Sequence, residues 1–331
     1  MSKADNILRV SDPRRLPARL RGGVVAIGNF DGVHRGHQAV LGRALEEAKA
    51  DGRAVIVLTF EPHPRSVIRP DIPLFRLTPA PMKACILDRF GFDAVVEMPF
   101  THAFAVQSAE EFVTRILDHG LGVGHVVTGV DFHFGKDRRG GPAYLMEAGK
   151  RHGFGVTLVD AFRDEGAEIV SSSRIRALLA QGDVAQAAGL LGYRYTVEAN
   201  VSRGRQLGRT LGYPTANMAL PADTHLAHGI YAVKFRRADG TLHDGVASFG
   251  RRPTVEEEGA ALLETFLFDF SGDLYGETCR VSFFSRLRGE EKFDGLDPLV
   301  AQMRRDEEEA RAVLARAAPL SPLDRAIAFT A

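Results

Sequence analysis

The first half of the chain alternates short apolar runs rich in β-branched residues with segments of helical periodicity. The apolar runs lie at 24–27, 54–60, 95–98, 126–129 and 156–159. Between them, segments such as 108–119 repeat apolar positions every three to four residues, which is typical of an amphipathic helix. Strands separated by helices form parallel βαβ units, so this half predicts an open α/β sheet. Ligands of such sheets bind at the carboxyl ends of the strands.

The pattern changes after residues 171–192, which predict a capped helix, a break at Gly182-Asp183 and a second short helix. We therefore expect a boundary near residue 187, with domains at 1–187 and 188–331. Beyond it, β-like runs lie at 195–202, 229–237, 245–249, 262–270 and 278–285. The turns between them are typical of hairpins, which predicts a mostly β second domain of the meander or barrel type.

A long amphipathic helix is predicted near the end of the chain. Asp297 is an N-cap candidate, Pro298 suits the first helical turn, and apolar positions continue at helical spacing to about residue 317. The charged run RRDEEEAR at 304–311 lies within this segment. We expect that run to be a solvated helix face.

Composition and charge exclude several classes of partner. The 331 residues include 42 basic and 42 acidic side chains without a dense basic tract, so we expect neither nucleic acid nor an anionic membrane as partner. No apolar run approaches the roughly eighteen residues of a membrane span, and the N-terminus lacks the apolar core of a signal peptide. We therefore expect a soluble, cytoplasmic protein. Cys85 and Cys279 are predicted to be core thiols.

The sequence GNFDGVHRGH at 28–37 follows the first apolar run and leads into a helical pattern. Its glycines let the backbone approach a ligand, and the N–H groups and dipole at a helix start favour an anion. His34 and His37 are three residues apart on the first turn, so both imidazoles can reach one phosphate. Two alternatives stay open: a zinc site, for which no third ligand is apparent, and a purely structural role for the histidines.

Further segments are candidates for the same edge of the sheet. TFEPHP at 59–64 ends one predicted strand, and its alternative role is to turn the chain. GVDFHFG at 129–135, which contains Asp131, ends another strand. The basic residues that follow it face either polyphosphate or water; they are Lys136, Arg138 and Arg139.

The three serines at 171–173 are N-cap candidates for a helix that carries Arg174 and Arg176 in its first turn. A cation at that position opposes the helix dipole. An anionic ligand bound there would offset this cost.

A second glycine-rich stretch, RGRQLGRTLGYPTAN, lies at 203–217. Pro214 stiffens the chain just before Thr215 and Asn217, whose side-chain oxygens are two residues apart and point to the same side of an extended segment. Such oxygens suit Mg²⁺ as ligands, while the alternative is an ordinary turn.

Glu264 lies in the apolar run LETFLFDF at 263–270. Alternation places its carboxylate on the face of Phe266, Phe268 and Phe270. A carboxylate beside aromatic rings is poorly solvated, an environment that suits a general base. The alternative is that Glu264 stands at a strand start and reaches water.

The first-half motifs together carry a resemblance. HxGH at 34–37 with SSxxR at 172–176 resembles the nucleotidylyltransferase superfamily, and GNFDGVHRGH, TFEPHP, GVDFHFG and SSSRIR are similar to the FMN adenylyltransferase module of bacterial bifunctional riboflavin kinase/FAD synthetases. The resemblance implies a Rossmann-like parallel sheet. In it, His34, His37 and Arg176 would hold the phosphates of ATP while the phosphate of FMN attacks the α-phosphorus and pyrophosphate leaves.

The second half is similar to the riboflavin kinase barrel of the same family through GRTLGYPTAN, HGIYAV, GVASFGRRPTV, LLETFLFDFSGDLYG and LRGEEKF. The resemblance implies a barrel with a C-terminal helix, where Thr215 and Asn217 bind Mg²⁺ with ATP. Glu264 would accept the proton of the ribityl 5′-hydroxyl as it attacks the γ-phosphate. The implied small-molecule partners are riboflavin, FMN, FAD and ATP. Riboflavin would become FMN in the barrel and FMN would become FAD in the α/β domain.

On the motifs and the resemblance together, the residues expected to bind ATP or its phosphates are Gly28, Asn29, Asp31, Gly36, Asp131, Ser172, Ser173, Arg174, Gly208, Arg209 and Gly212. Some positions depart from the family's usual pattern, namely His133, Ser173, Tyr193, Ala199 and Ser248. These departures spare the expected metal ligands and base.

Three other functions stay open at this point. The chain is a monofunctional FMN adenylyltransferase if its barrel binds flavin but phosphorylates it weakly. A flavin-sensing module without turnover would need neither Glu264 nor the HxGH motif. Adenylylation of another phosphate, such as phosphopantetheine, is compatible with HxGH but not favoured beside a kinase barrel.

Overall fold

The computed structural model describes residues 7–204, 212–251 and 261–330. The chain divides into two compact units, one ending at Ser171 and the other beginning at Ser172. The residue-187 boundary expected from the pattern falls inside a helix that groups with the second unit. The helix before it also belongs there, because its Leu179 carbonyl accepts a hydrogen bond from the N–H of Ala227 at 2.9 Å.

Six strands in the described part of the first unit form one parallel sheet. They are β1 (Leu8–Val10), β2 (Val24–Ile27), β3 (Val55–Glu61), β4 (Ala94–Pro99), β5 (His125–Gly129) and β6 (Gly155–Val159). The helices are α1 (Arg35–Asp51), α2 (Pro64–Ile68), α3 (Ala80–Phe90), α4 (His102–Ala105), α5 (Ala109–Glu111) and α6 (Pro142–His152). A π-helix spans Phe112–Leu121, and short 3-10 helices lie at Pro13–Arg15, Ala18–Leu20 and Lys136–Arg138.

The spatial order of the strands is β1-β4-β3-β2-β5-β6. β2 is buried along its whole length and pairs in parallel with β3 on one side and β5 on the other. The chain leaves β2 toward β3 and β4 and then returns to the opposite side for β5. This reversal places the carboxyl ends of β2 and β5 side by side, where open α/β sheets bind their ligands.

The predicted α/β sheet is confirmed, with all five predicted strands present and their ends shifted by at most a few residues. β1 was not predicted, because three residues at a sheet edge are too few to show a period. The helix expected at 108–119 begins where predicted, and the structure shows a capping box between Ser108 and Glu111 at its start. From Phe112 it continues as a π-helix, whose buried positions also fit α-helical spacing in the sequence.

The second unit begins with α7 (Ser172–Gln181) and α8 (Val184–Leu191). Its described strands are β7 (Thr196–Ser202), β8 (Thr215–Leu220), β9 (Gly229–Arg236), β10 (Leu242–Arg251), β11 (Ala261–Leu267) and β12 (Thr278–Arg288). These strands form a closed antiparallel barrel in the order β10-β11-β8-β7-β12-β9. The predicted barrel is confirmed.

The barrel is filled by one face of its strands and covered by a helix on part of the other. On β11 the buried positions alternate, with Leu263 and Thr265 in the interior. Outside the barrel, α9 (Leu296–Ala315) packs Ala310 and Leu314 against Phe284 and other apolar side chains. A last helix, α10 (Pro322–Ala328), follows.

Two details of the C-terminal prediction are wrong. The long helix has Gly295 at its N-cap position instead of Asp297, which lies in the first turn. The charged run is not wholly solvated, because Asp306 is 4% exposed and accepts hydrogen bonds from Arg288 at 2.7 and 2.8 Å. The sequence of a charged run does not show which of its carboxylates is buried, because burial depends on the strand that packs against the helix.

Cys85 and Cys279 are both buried and neither is in a disulfide, as the sequence predicts. Burial raises the pKa of Cys279 to about 12, and the charge of Glu277 adds to the effect. Over the described residues, no helix has both the length and the apolar character that crossing a membrane requires.

Candidate active sites

The first candidate site begins where β2 ends. Residues 28–34, here named the β2 loop, lead into α1, and His34 occupies the N-cap position of that helix. The His34 Nδ1 accepts a hydrogen bond from the backbone N–H of His37 at 3.3 Å. An accepting Nδ1 places the proton of the neutral His34 ring on Nε2.

The rings of the two motif histidines stack on each other. Their centroids are 3.6 Å apart with planes inclined by 16°, and the Phe30 ring meets His37 edge-on at 5.4 Å. Gly36 permits this packing, because a Cβ there would lie 3.1 Å from the Cε1 of His34. Gly28 is required for the same reason, since a Cβ would lie 2.9 Å from the Phe30 ring.

His37 is neutral at pH 7. Burial lowers the pKa of its imidazole well below the ordinary value, and the nearby His34 and Lys83 lower that pKa further. Its Nδ1 is buried and has no hydrogen-bond partner among the described residues. A buried ring nitrogen of this kind, at the N-terminal turn of a helix, fits a ligand that supplies the missing hydrogen bond.

A buried cation lies behind the β2 loop. Lys83 on α3 is 1% exposed, and its Nζ donates to the Asn29 carbonyl at 2.9 Å, to Thr59 Oγ1 at 3.1 Å and to Glu61 Oε1 at 3.3 Å. Burial lowers the pKa of Lys83, and the charge of Glu61 opposes that change. Sequence reasoning missed Lys83. The feature that could have indicated its burial is the position of this lysine within the otherwise apolar run 82–87 of a helix.

Arg76 and Thr78 extend the same network. Arg76 forms a bidentate pair with Glu61 at 2.7 and 3.1 Å, and its Nε lies 3.6 Å from Asp31 Oδ1. The backbone N–H of Thr78 donates to Asp31 Oδ1 at 3.0 Å, and the Thr78 hydroxyl accepts from the N–H of Gly32 at 2.8 Å. Asp31 is 2% exposed, so the structure places this predicted phosphate ligand within the network that holds the β2 loop.

The loop after β5 lies at the same edge of the sheet as the β2 loop. Asp131 is exposed, and its carboxylate folds back to within 2.7 Å of where a Cβ of Gly129 would stand. The neighbouring His133 donates from Nδ1 to the Asp131 carbonyl at 2.8 Å. Phe134 is buried against Phe112, with ring centroids 4.9 Å apart. The basic residues beyond it are all exposed, namely Lys136, Arg138 and Arg139.

The remaining predicted ligands of the first site lie on α7. Ser172 and Ser173 begin this helix and are followed by Arg174 and Arg176, both partly exposed, while Ile175 between them is buried. The helix predicted from the serines is thus confirmed. The role of these four side chains in phosphate binding stays a prediction.

The second candidate site lies on the barrel wall. Glu264 on β11 is directly opposite Asn217 on β8, and Phe266 is opposite Thr215. Cross-strand partners share a face of the sheet, so Glu264, Asn217 and Thr215 lie on the outer face of the barrel. The Nδ2 of Asn217 donates to the Thr215 carbonyl at 3.1 Å.

A cavity of about 540 Å³ opens on the Thr215 and Asn217 side of this group, and Glu264 is not among its lining residues. Thr215 and Asn217 form part of its wall, and the segment 270–275 forms another part. Gly204 also lines it and packs against the Asn217 side chain, where a Cβ would collide with the amide. Two oxygen-bearing side chains beside a cavity of this size fit the hydrated Mg²⁺ of a bound nucleotide.

The glycine-rich stretch before this cavity is described in part. Gly212 has a φ of 84°, a left-handed conformation that favours glycine, and it lies in the turn before Thr215. Gly208 and Arg209, both predicted to bind ATP, lie outside the described residues. The described residues contain no group of three His, Cys, Asp or Glu side chains that could hold a metal ion.

The aromatic surroundings of Glu264 differ from the expected ones. β11 ends at Leu267, so the alternation that joins Glu264 to Phe266 does not continue to Phe268 and Phe270. On its other side Glu264 is paired with Ser248 of β10. The row Ser248, Glu264, Asn217 therefore runs across three neighbouring strands.

Two family profiles match this chain. The FAD synthetase family covers residues 16–174, and the riboflavin kinase family covers residues 191–314. Both predicted modules are thus present, in the predicted order.

Relatives match nearly the whole chain. The bifunctional riboflavin kinase/FMN adenylyltransferase of Pseudomonas fluorescens is 42% identical over 298 residues, covering 90% of this chain and 95% of the relative. The protein of the same name from Escherichia coli K12 is 39% identical over 290 residues, covering 88% and 92%. A Streptococcus pneumoniae crystal structure titled macrolide-efflux protein has a TM-score of 0.80 at 30% identity, covering 92% of this chain and 98% of that one.

The two matched domains and the nearly full-length relatives identify the family of this chain. The chain carries an FAD synthetase domain and a riboflavin kinase domain and belongs to the bifunctional riboflavin kinase/FMN adenylyltransferase family.

Proposed function

We propose that this chain phosphorylates riboflavin with ATP to give FMN and then adenylylates FMN with a second ATP to give FAD and pyrophosphate. The observation that carries the kinase assignment is the cross-strand pairing of Glu264 with Asn217, which lines an open cavity together with Thr215. The presence of both domains favours two activities over the monofunctional alternative. We assign adenylyl transfer to residues 1–187 and phosphorylation to residues 188–331.

In the kinase reaction, Glu264 accepts the proton of the ribityl 5′-hydroxyl while that oxygen attacks the γ-phosphorus of ATP and ADP leaves. Thr215 and Asn217 would hold the nucleotide through Mg²⁺, and Gly208, Arg209 and Gly212 would bind its phosphates. The metal ion neutralises charge on the phosphate oxygens when it is bound. The pairing of Glu264 with Asn217 keeps the base and a nucleotide ligand about one strand spacing apart.

In the adenylyl transfer, a phosphate oxygen of FMN attacks the α-phosphorus of ATP, and the bond to the departing pyrophosphate breaks. The attacking phosphate is already an anion, so the site supplies alignment and hydrogen bonds instead of a base. We assign the phosphates of ATP to His34 and neutral His37, which stand at the N-terminus of α1.

We assign the other phosphate contacts of this reaction by motif. Their ligands are Gly28, Asn29, Asp31, Gly36, Asp131, Ser172, Ser173, Arg174 and Arg176. Arg176 is the member of this set whose fixed positive charge suits the departing pyrophosphate.

The substrates of both reactions are small molecules, and neither reaction involves nucleic acid or membrane. We place the enzyme in the cytoplasm.

A product assay tests the proposal. The full chain is mixed with riboflavin, ATP and Mg²⁺, and the products in timed samples are separated by chromatography. We expect FMN first and FAD later, with ADP and pyrophosphate as co-products. Conversion of added FMN without any use of riboflavin would select the monofunctional alternative.

A further inference from the structure

Lys83 occupies a position that a lysine rarely takes. Its side chain is 1% exposed within the buried part of α3, and an ammonium in such a place is costly unless its donors are used. All three N–H groups have acceptors within 3.3 Å, namely the Asn29 carbonyl, Thr59 Oγ1 and Glu61 Oε1. One acceptor belongs to the β2 loop, and the other two belong to β3. Lys83 therefore ties the loop to the neighbouring strand.

The bond to Asn29 fixes the direction of one peptide group. The Asn29 carbonyl accepts from Lys83 at 2.9 Å and also from Thr59 Oγ1 at 3.1 Å. In a planar trans peptide, the carbonyl of one residue and the N–H of the next point in opposite directions. The N–H of Phe30 is therefore turned away from Lys83 and Thr59.

The β2 loop needs external support to keep this shape. Phe30 and Val33 have φ values of 48° and 38°, in the left-handed region that residues with side chains avoid. Such conformations persist only where surrounding contacts over-determine them, and they cluster at functional sites. Thr78 holds the loop through Gly32, and Lys83 holds it through Asn29.

We propose that Lys83 is a positioning residue for adenylyl transfer, which holds the β2 loop by the Asn29 carbonyl and so directs the N–H of Phe30 and the two histidines toward the phosphates of ATP. This inference rests on the proposed FMN adenylyltransferase activity. Lys83 itself touches no substrate. Its ammonium acts through the backbone that it fixes.

The test compares steady-state FAD formation from FMN and ATP by the wild-type full chain and by Lys83→Met, which keeps most of the stem and removes the donors. We expect kcat to fall about 100-fold, as for a small misplacement of reacting groups, with the KM for FMN within about threefold of wild type. Riboflavin phosphorylation by the same preparation reports protein quality and should be unchanged. Failure of the wild type to form FAD would refute the proposed function, whereas full kcat in Lys83→Met would refute only the role of Lys83.

Two further variants separate positioning from stability. Ile86→Ala removes a fully buried apolar side chain from the same helix and should lower thermal stability while kcat stays within about threefold of wild type. Thr59→Val removes the other donor to Asn29 while keeping the shape of the side chain, and should lower kcat about tenfold. If Lys83→Met does not fold, Thr59→Val carries the test alone.

The double variant Lys83→Met/Thr59→Val tests the shared carbonyl. We expect kcat to fall no further than in the worse single variant, because both side chains act on one peptide group. A loss equal to the product of the two single losses, or full kcat in Thr59→Val, would overturn the proposal.

Discussion

Glu264 and Asn217 are direct cross-strand partners in the antiparallel pair of β11 and β8. The pairing brings together two residues that lie 47 positions apart in the sequence. It also places the proposed base on the same face as both proposed metal ligands. The register of the barrel therefore determines the geometry of the proposed kinase site.

Replacement of Glu264 by Gln should remove riboflavin phosphorylation. The amide keeps the size of the carboxylate but cannot accept the hydroxyl proton, so kcat should fall about 100-fold to 10,000-fold with a small change in the KM for riboflavin. ADP release in the presence of riboflavin measures the effect. A kcat within tenfold of wild type would show that another group takes the proton.

Thr215→Val should weaken the response of the kinase to Mg²⁺. Valine keeps the shape of the side chain but lacks the hydroxyl oxygen that we assign to the metal, so half-maximal activity should require about tenfold more Mg²⁺. Ala219→Ser is a matched control, because residue 219 is exposed two positions beyond Asn217 on the same strand. An unchanged Mg²⁺ titration of Thr215→Val would argue against this ligand.

The depressed pKa of His37 predicts a loss of stability in acid. Above pH 6.5 the residue is neutral in the folded and unfolded states and contributes no pH dependence. Below that pH the unfolded chain takes up a proton that the folded state does not. At pH 5.5 the free energy of unfolding should therefore be lower than at pH 7.5, by on the order of 1 kcal/mol from this residue alone.

Urea unfolding at pH 7.5 and pH 5.5 measures this effect. The chain contains no tryptophan, so circular dichroism is the suitable signal. His37→Gln removes the titrating group, and its loss of stability between the two pH values should be smaller than that of the wild type. Equal losses in both proteins would mean that His37 is readily protonated in the folded state.

Asp306 and Glu308 lie two residues apart in the same charged run but should differ in their effect on stability. Asp306 is buried and accepts a bidentate pair from Arg288 and a third hydrogen bond from Gln302 at 2.8 Å, whereas Glu308 is exposed. Asp306→Ala leaves the partly buried guanidinium of Arg288 without its main partner and should destabilise the barrel by about 1–3 kcal/mol. Glu308→Ala should change stability by less than about 0.5 kcal/mol. Thermal unfolding of the two variants measures this difference. Equal melting points would contradict a stabilising role for the pair of Asp306 and Arg288.

Hydrophobic periodicity was sufficient to predict five of the six sheet strands, because these strands are short apolar runs with helices between them. The three-residue β1 is too short to show a period. Periodicity was also sufficient for the alternation at Glu264 and Phe266, which the structure confirms. It failed beyond Leu267, because Phe268 still looks like a strand position when the turn at Asp269 is not known.

The network behind the β2 loop could not be predicted in the same way. Lys83 and Asn29 are linked by a hydrogen bond across 54 positions of sequence, and the other two acceptors of Lys83 lie on β3. A single sequence contains no information on which strand lies beneath a given helix. Motif spacing therefore identified the histidines of the loop but not the cation that holds it.

The central claim is that one chain contains two separate active sites, and the most direct measurement assays both half-reactions in two single variants. His37→Ala should form FMN from riboflavin at the wild-type rate but make no FAD, and Glu264→Gln should convert supplied FMN to FAD at the wild-type rate but make no FMN. Loss of both reactions in either folded variant would contradict two independent sites.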